Sequence, residues 1–136
     1  MAFSNKSLAY ALLRLTIGIN FAGHGLIRLL VIGLGHFAHG MVANLSKSPL
    51  PAGFMLGFLY IVPIIETIVG IALIFGLFTR EALILAALLI ASLTLGVTAN
   101  QQWDTAGLQL TYALVLFVLL FLLEHNTLSV DGMRRR

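Results

Sequence analysis

Apolar residues fall into four long blocks separated by short polar breaks. The blocks cover about residues 8–34, 53–78, 82–99 and 106–123. An α-helix needs about 20 such residues to cross the hydrocarbon core of a bilayer. At ~1.5 Å per residue the first two blocks reach roughly 39 Å, so they must tilt, kink or project beyond the membrane. Thr79, Arg80 and Glu81 form one polar break, and Asn100 to Thr105 form another. The pattern predicts an all-α integral membrane four-helix bundle, a single membrane domain over residues 1–136.

The longest connection, residues 35–52, carries a pattern of its own. Phe37, Met41 and Leu45 recur every four residues, with His36, Gly40, Ala43 and Lys47 opposite. This predicts a short amphipathic helix in the membrane interface between the first and second spans, stopped by Ser48, Pro49 and Pro51. Pro63 removes a backbone donor within the second block and is expected to bend that helix. Residues 1–7 and 130–136 read as frayed tails.

Composition fits this picture and removes several functions. The chain has 136 residues, 60% hydrophobic and only 10% charged, with a mean hydropathy of +1.02. Nearly all of it is needed to cross the bilayer, which leaves no room for a separate cofactor-binding domain. With no cysteine, disulfides, thiolate metal sites and cysteine-ligated iron–sulfur clusters are excluded. The net charge of +3 is no nucleic-acid footprint, because three of the eight basic residues are the terminal Arg134, Arg135 and Arg136. Lys6 before an apolar run resembles a signal peptide, but the run is too long and carries Arg14, so it reads as an uncleaved first span. Lys6, Arg14, Arg80 and the terminal arginines gather on one side of a four-span topology, which places both termini in the cytoplasm.

Against this background the polar residues inside the spans stand out. Glu66 is the only charge in the second block, and an intramembrane acid costs enough that it must face a partner, a ligand or water. On the first block Asn20, His24 and Arg28 recur at i, i+4 and i+8. A site is therefore expected where these two faces meet, open toward the outer half of the membrane. Its candidates are Glu66 and His24 as catalytic groups and Arg28 and Asn100 as ligand-binding groups, with Trp103 and Gln109 at the rim. Arg14 is the second candidate to pair with Glu66, and its plain alternative is snorkelling to the interface. Asn100 and Trp103 could equally form a hydrated turn with an interfacial tryptophan. His36 and His39 have metal-ligand spacing but no accompanying carboxylate, so no metal is expected. With His24 alone inside a span, a bis-histidine haem is not expected either.

Two stretches resemble the DoxX family of small bacterial membrane proteins. One is the run from Leu12 to Leu29 (LLRLTIGINFAGHGLIRL), with its leucine–arginine pair and glycine-bounded segment. The other is the run from Pro63 to Ala82 (PIIETIVGIALIFGLFTREA), which joins an intramembrane glutamate to a glycine–leucine–phenylalanine–threonine–arginine ending. The resemblance implies a four-helix bundle in the bacterial cytoplasmic (inner) membrane. It also implies a link to thiosulfate–quinone oxidoreductases and other membrane redox complexes. A quinone is then the expected ligand, held by His24 and Arg28 with Glu66 moving a proton, in association with a protein partner or further copies of the chain. The competing expectation is a non-catalytic anchor, assembly factor or small-ligand-binding subunit, in which Arg14, Arg28 and Glu66 only hold the bundle together.

Overall fold

A computed structural model of the chain describes residues 4–134. Helix α1 (Asn5–Ile27) runs into a π-helical segment (Arg28–Gly33) and then into α2 (Leu34–Asn44). Three long helices follow: α3 (Ala52–Phe75), α4 (Thr79–Ala99) and α5 (Trp103–Phe121). A 3₁₀ turn (Leu123–His125) and the short α6 (Val130–Arg134) close the chain. The stretch Asn5–Asn44 and the helices α3, α4 and α5 are each long and apolar enough to cross a membrane. The described residues hold no strand, and the protein is an all-α, multi-pass membrane bundle. The loop end carries α2 and the α4–α5 turn. The terminal end carries the start of α1, the α3–α4 turn and α6.

The α1–α3 pair is set by small residues. A Cβ on Gly18 would lie 2.9 Å from the Ile74 backbone nitrogen, and one on Gly25 would lie 2.6 Å from the Pro63 carbonyl oxygen. One on Gly70 would run into the Ala22 backbone. Gly18, Ala22 and Gly25 thus let α3 approach α1 almost to backbone contact, the usual means of helix association without a hydrophobic driving force. Gly23 and Gly57 have nothing within reach of an added Cβ, so packing explains only part of the glycine content. Pro63 lies inside an unbroken α3, and Thr67 donates to its carbonyl at 2.8 Å.

Two apolar cores result. One joins Tyr10, Ile17 and Phe21 of α1 to Val62, Val69 and Leu73 of α3, Leu83 and Leu89 of α4, and Leu116 and Leu119 of α5. The second lies at the loop end, where Phe37, Ala38 and Leu45 pack on Met55 and Leu59 of α3, Val97 of α4 and Ala106 of α5. Phe37 and Leu45 of the expected stripe are buried and Met41 is half-buried, while His36, Gly40, Ala43 and Lys47 are exposed. The helix stops at Asn44, before the prolines. Gly33, the last residue of the π segment, turns the chain into α2 at φ +87°.

The terminal end corrects the expectation of frayed tails. Ser4 caps α1 by accepting from the Ser7 backbone, and Ser7 is buried. At the other terminus, Asp131 caps α4: its Oδ1 accepts from the Phe78 amide at 3.0 Å, and its Oδ2 accepts from the Thr79 amide and hydroxyl at 2.7 and 2.8 Å. Asn126 donates to the same Thr79 hydroxyl at 2.8 Å. The Asp131 amide donates to the Gly76 carbonyl at 3.0 Å. Gly76 ends α3 in the left-handed region, with Leu77 donating back to Ala72 at 2.9 Å, a glycine-terminated helix end. Residues 1–3 and 135–136 of the expected tails lie outside the described residues.

Candidate functional site

The acid of α3 is held by the last arginine of the first block. Glu66 is 4% exposed. Nη1 of Arg28 lies 2.6 Å from its Oε1 and 2.5 Å from its Oε2. The pairing follows from the close α1–α3 seam, which sets Gly25 against Pro63 and Thr67 and brings the next turn of α1 level with Glu66. Arg28 is the first residue of the π segment. Such wide turns are uncommon and often accompany functional sites. The guanidinium also stacks on Phe37 of α2, its Cζ 4.6 Å from the ring centroid, a cation–π contact. Glu66 and Phe37 therefore fix two sides of the same cation.

That cation faces a cavity. About 690 Å³ of space lies between α2, α3, α4 and the start of α5, lined by Arg28 and by mainly apolar side chains such as Met41, Phe58 and Val62. Ser92, Gln102, Thr105 and Gln109 add polar groups. The size and the apolar lining with few polar groups suit a small organic ligand. Arg28 is the only ionisable residue of the lining. It makes no hydrogen bond through Nε or Nη2 among the described residues, and its side chain is 23% exposed against 6% for Glu66. Arg28, and not the acid, lines the cavity.

The structure brings together only some of the residues proposed from sequence. Glu66 and Arg28 meet, and Arg28 and Gln109 line one cavity. His24 does not join them: it is exposed on α1 and outside the cavity lining. Asn100 is buried as a structural clamp, its Oδ1 accepting from the Lys47 amide at 2.8 Å and its Nδ2 donating to the Asn44 carbonyl at 3.1 Å. Gln102 donates to the same carbonyl at 3.2 Å. Together they tie the end of α2 to the α4–α5 turn. Trp103 begins α5 and is largely exposed, away from the cavity, a position suited to the membrane interface. His36 and His39 are exposed on α2.

Arg14 neither pairs with Glu66 nor snorkels. It is 4% exposed and donates from Nη2 to the Leu128 carbonyl at 2.8 Å. Its Nη1 fills the space that a Cβ on Gly76 would need. The leucine–arginine pair of α1 and the glycine–leucine–phenylalanine–threonine turn after α3 thus pack directly on each other, sealed by the C-terminal segment.

Sequence reasoning missed Phe37 as a support for Arg28, although it heads the apolar stripe of α2. It also missed Ser92, one of three hydroxyl residues with Thr94 and Thr98 in the third apolar block, and the whole Asp131 latch.

The DoxX family model matches residues 9–103. No curated protein and no solved structure matches the chain. The match covers most of the chain and includes both stretches that meet at Gly76 as well as Arg28 and Glu66. The chain belongs to the DoxX family.

Proposed function

We propose that this chain is a quinone-binding membrane subunit of an oxidoreductase, with the loop-end cavity as its headgroup site. The observation that carries the reading is the guanidinium of Arg28, fixed by Glu66 and Phe37 on the wall of an otherwise uncharged, mainly apolar cavity. A quinone headgroup presents two carbonyl oxygens and needs donors. Arg28 supplies them through nitrogens that Glu66 does not use, and the Gln109 amide offers a second polar contact on the same lining. The apolar walls suit an isoprenoid tail. A bound quinone would act as acceptor of two electrons and two protons, the electrons coming from a partner protein or a small reductant. Glu66 serves as a positioning residue for Arg28, and His24 is given no contact with the ligand. On the same reading the terminal end, with Lys6, Arg80 and Arg134, faces the cytoplasm of a bacterial inner membrane.

The test is to reconstitute the protein in lipid nanodiscs and measure binding of a short-chain benzoquinone. Wild type is expected to bind saturably, with at least tenfold weaker binding in Arg28→Met and a severalfold loss in Gln109→Leu. If folded wild type binds no quinone, alone or with co-purifying partners, the reading falls and the anchor or assembly role takes its place.

A further inference from the structure

We infer that Glu66 sets the charge selectivity of the cavity: by cancelling the charge of Arg28 it makes the site take neutral, carbonyl-bearing amphiphiles and refuse anionic ones. The inference rests on the cavity being the ligand site, as proposed above, and adds what that site selects against. A membrane holds anionic amphiphiles as well as neutral quinones. A lone guanidinium in an apolar cavity would favour a carboxylate or sulfonate headgroup over a ketone, because an anion adds full Coulombic attraction to the hydrogen bond where screening is weak. Three features counter that preference.

First, both oxygens of Glu66 engage one nitrogen, Nη1, so the carboxylate is a close counter-ion and the other nitrogens stay available. Second, the cavity lining holds no other ionisable residue, so the pair alone sets the charge that a ligand meets. Third, Phe37 covers one face of the guanidinium, which steers a ligand toward the guanidinium edge, within a few ångströms of Glu66. A neutral carbonyl there gains a directional hydrogen bond at little electrostatic cost. A second anion there gains the same bond but is repelled by Glu66 at short range, in surroundings where screening is weak. Discrimination by a built-in repulsive group is a common route to specificity.

The experiment compares two probes with the same alkyl chain, a decyl benzoquinone and a decyl sulfonate, by equilibrium dialysis against nanodiscs with and without the protein. Wild type should bind the quinone at least tenfold more tightly than the sulfonate. Glu66→Gln should shift the ratio of the two affinities at least tenfold toward the sulfonate, and Glu66→Asp should leave it near the wild-type value. Equal or tighter sulfonate binding by wild type would overturn the inference, as would a Glu66→Gln ratio within twofold of wild type. The wild-type ratio needs no variant, so it can overturn the inference even if Glu66→Gln does not fold. Quinone binding without discrimination would remove this inference and leave the proposed function standing. Binding of neither probe to wild type would remove both.

Discussion

Arg14 and Arg28 lie on one seam of the first helical stretch, two heptads apart, yet the two ends of the bundle use them in opposite ways. At the terminal end Arg14 meets a backbone carbonyl, a glycine and the C-terminal segment. The polar groups around it serve to end α3, start α4 and fasten the tail. At the loop end Arg28 meets a carboxylate through one nitrogen, stacks on an aromatic ring and lines a cavity. One arginine is packed against the chain's own backbone, and the other is held on a cavity wall. What distinguishes them is their surroundings: Arg14 hydrogen-bonds a backbone carbonyl beside a tight turn, with the charge of Asp131 near it, whereas Arg28 pairs with a buried acid and lines a cavity.

The largest effect should come from breaking the pair at the loop end. Glu66→Ala leaves a guanidinium without its counter-ion in a membrane interior, and loss of one partner of a buried ion pair costs about 3–5 kcal/mol. Thermal unfolding in detergent should show a large drop, partly restored in Glu66→Ala combined with Arg28→Met. No recovery in the double variant would mean that Glu66 stabilises by packing and not by pairing.

Next come substitutions at the close approaches. Gly76→Ala must place a Cβ where the Arg14 guanidinium lies and adopt φ +64°. Left-handed backbone and overpacking together predict a loss of about 2–4 kcal/mol. Combining it with Arg14→Ala should lower that cost in part, since the Arg14 clash disappears while the left-handed backbone and the contact with the Ser129 Cβ remain. Purely additive losses would separate Arg14 from Gly76 and weaken the contrast between the two ends.

Asp131→Ala should cost about 1–2 kcal/mol, the scale of a lost helix cap, and should expose the segment after Leu123 to added protease. Quinone binding should not change, because the latch lies at the far end from the cavity. The smallest effect is expected for His24→Ala, within about 0.5 kcal/mol in stability as for an exposed substitution, with quinone affinity unaltered. A tenfold loss of affinity there would return His24 to the site and break the present assignment.

The four-span fold was legible because a bilayer imposes length and apolarity that few other structures share. Glu66 was legible for the same reason, as the one charge in its block. The amphipathic stripe of α2 was equally plain in Phe37, Met41 and Leu45. His24 was misplaced because a strict four-residue repeat drifts about 40° per step around a helix with 3.6 residues per turn. The real seam mixes steps of three and four through Tyr10, Arg14, Ile17, Phe21, Gly25 and Arg28, and its small residues Gly18, Ala22 and Gly25 were the better guide to what faces α3. The role of Asn100 was hidden because its partners, Asn44 and Lys47, are far away in sequence and are reached through backbone atoms, which carry no sequence signal. The same holds for Asp131, whose partners are the amides of a turn some fifty residues earlier. Phe37 could not be placed under Arg28 without the break at Gly33, whose positive φ sets where α2 departs from the π segment.

The central claim is that the loop-end cavity, and not the lipid-facing surface or the terminal end, is where a ligand sits. The most direct measurement is photo-crosslinking of a benzoquinone bearing a diazirine on its alkyl chain, in native membranes, with the modified residues located by mass spectrometry. Labelling should concentrate on cavity-lining residues such as Met41, Met55 and Phe58, fall when unlabelled quinone is added, and fall in Arg28→Met. Labelling spread evenly over exposed α5 residues such as Leu114 and Phe117, or insensitive to competitor and to Arg28→Met, would contradict it.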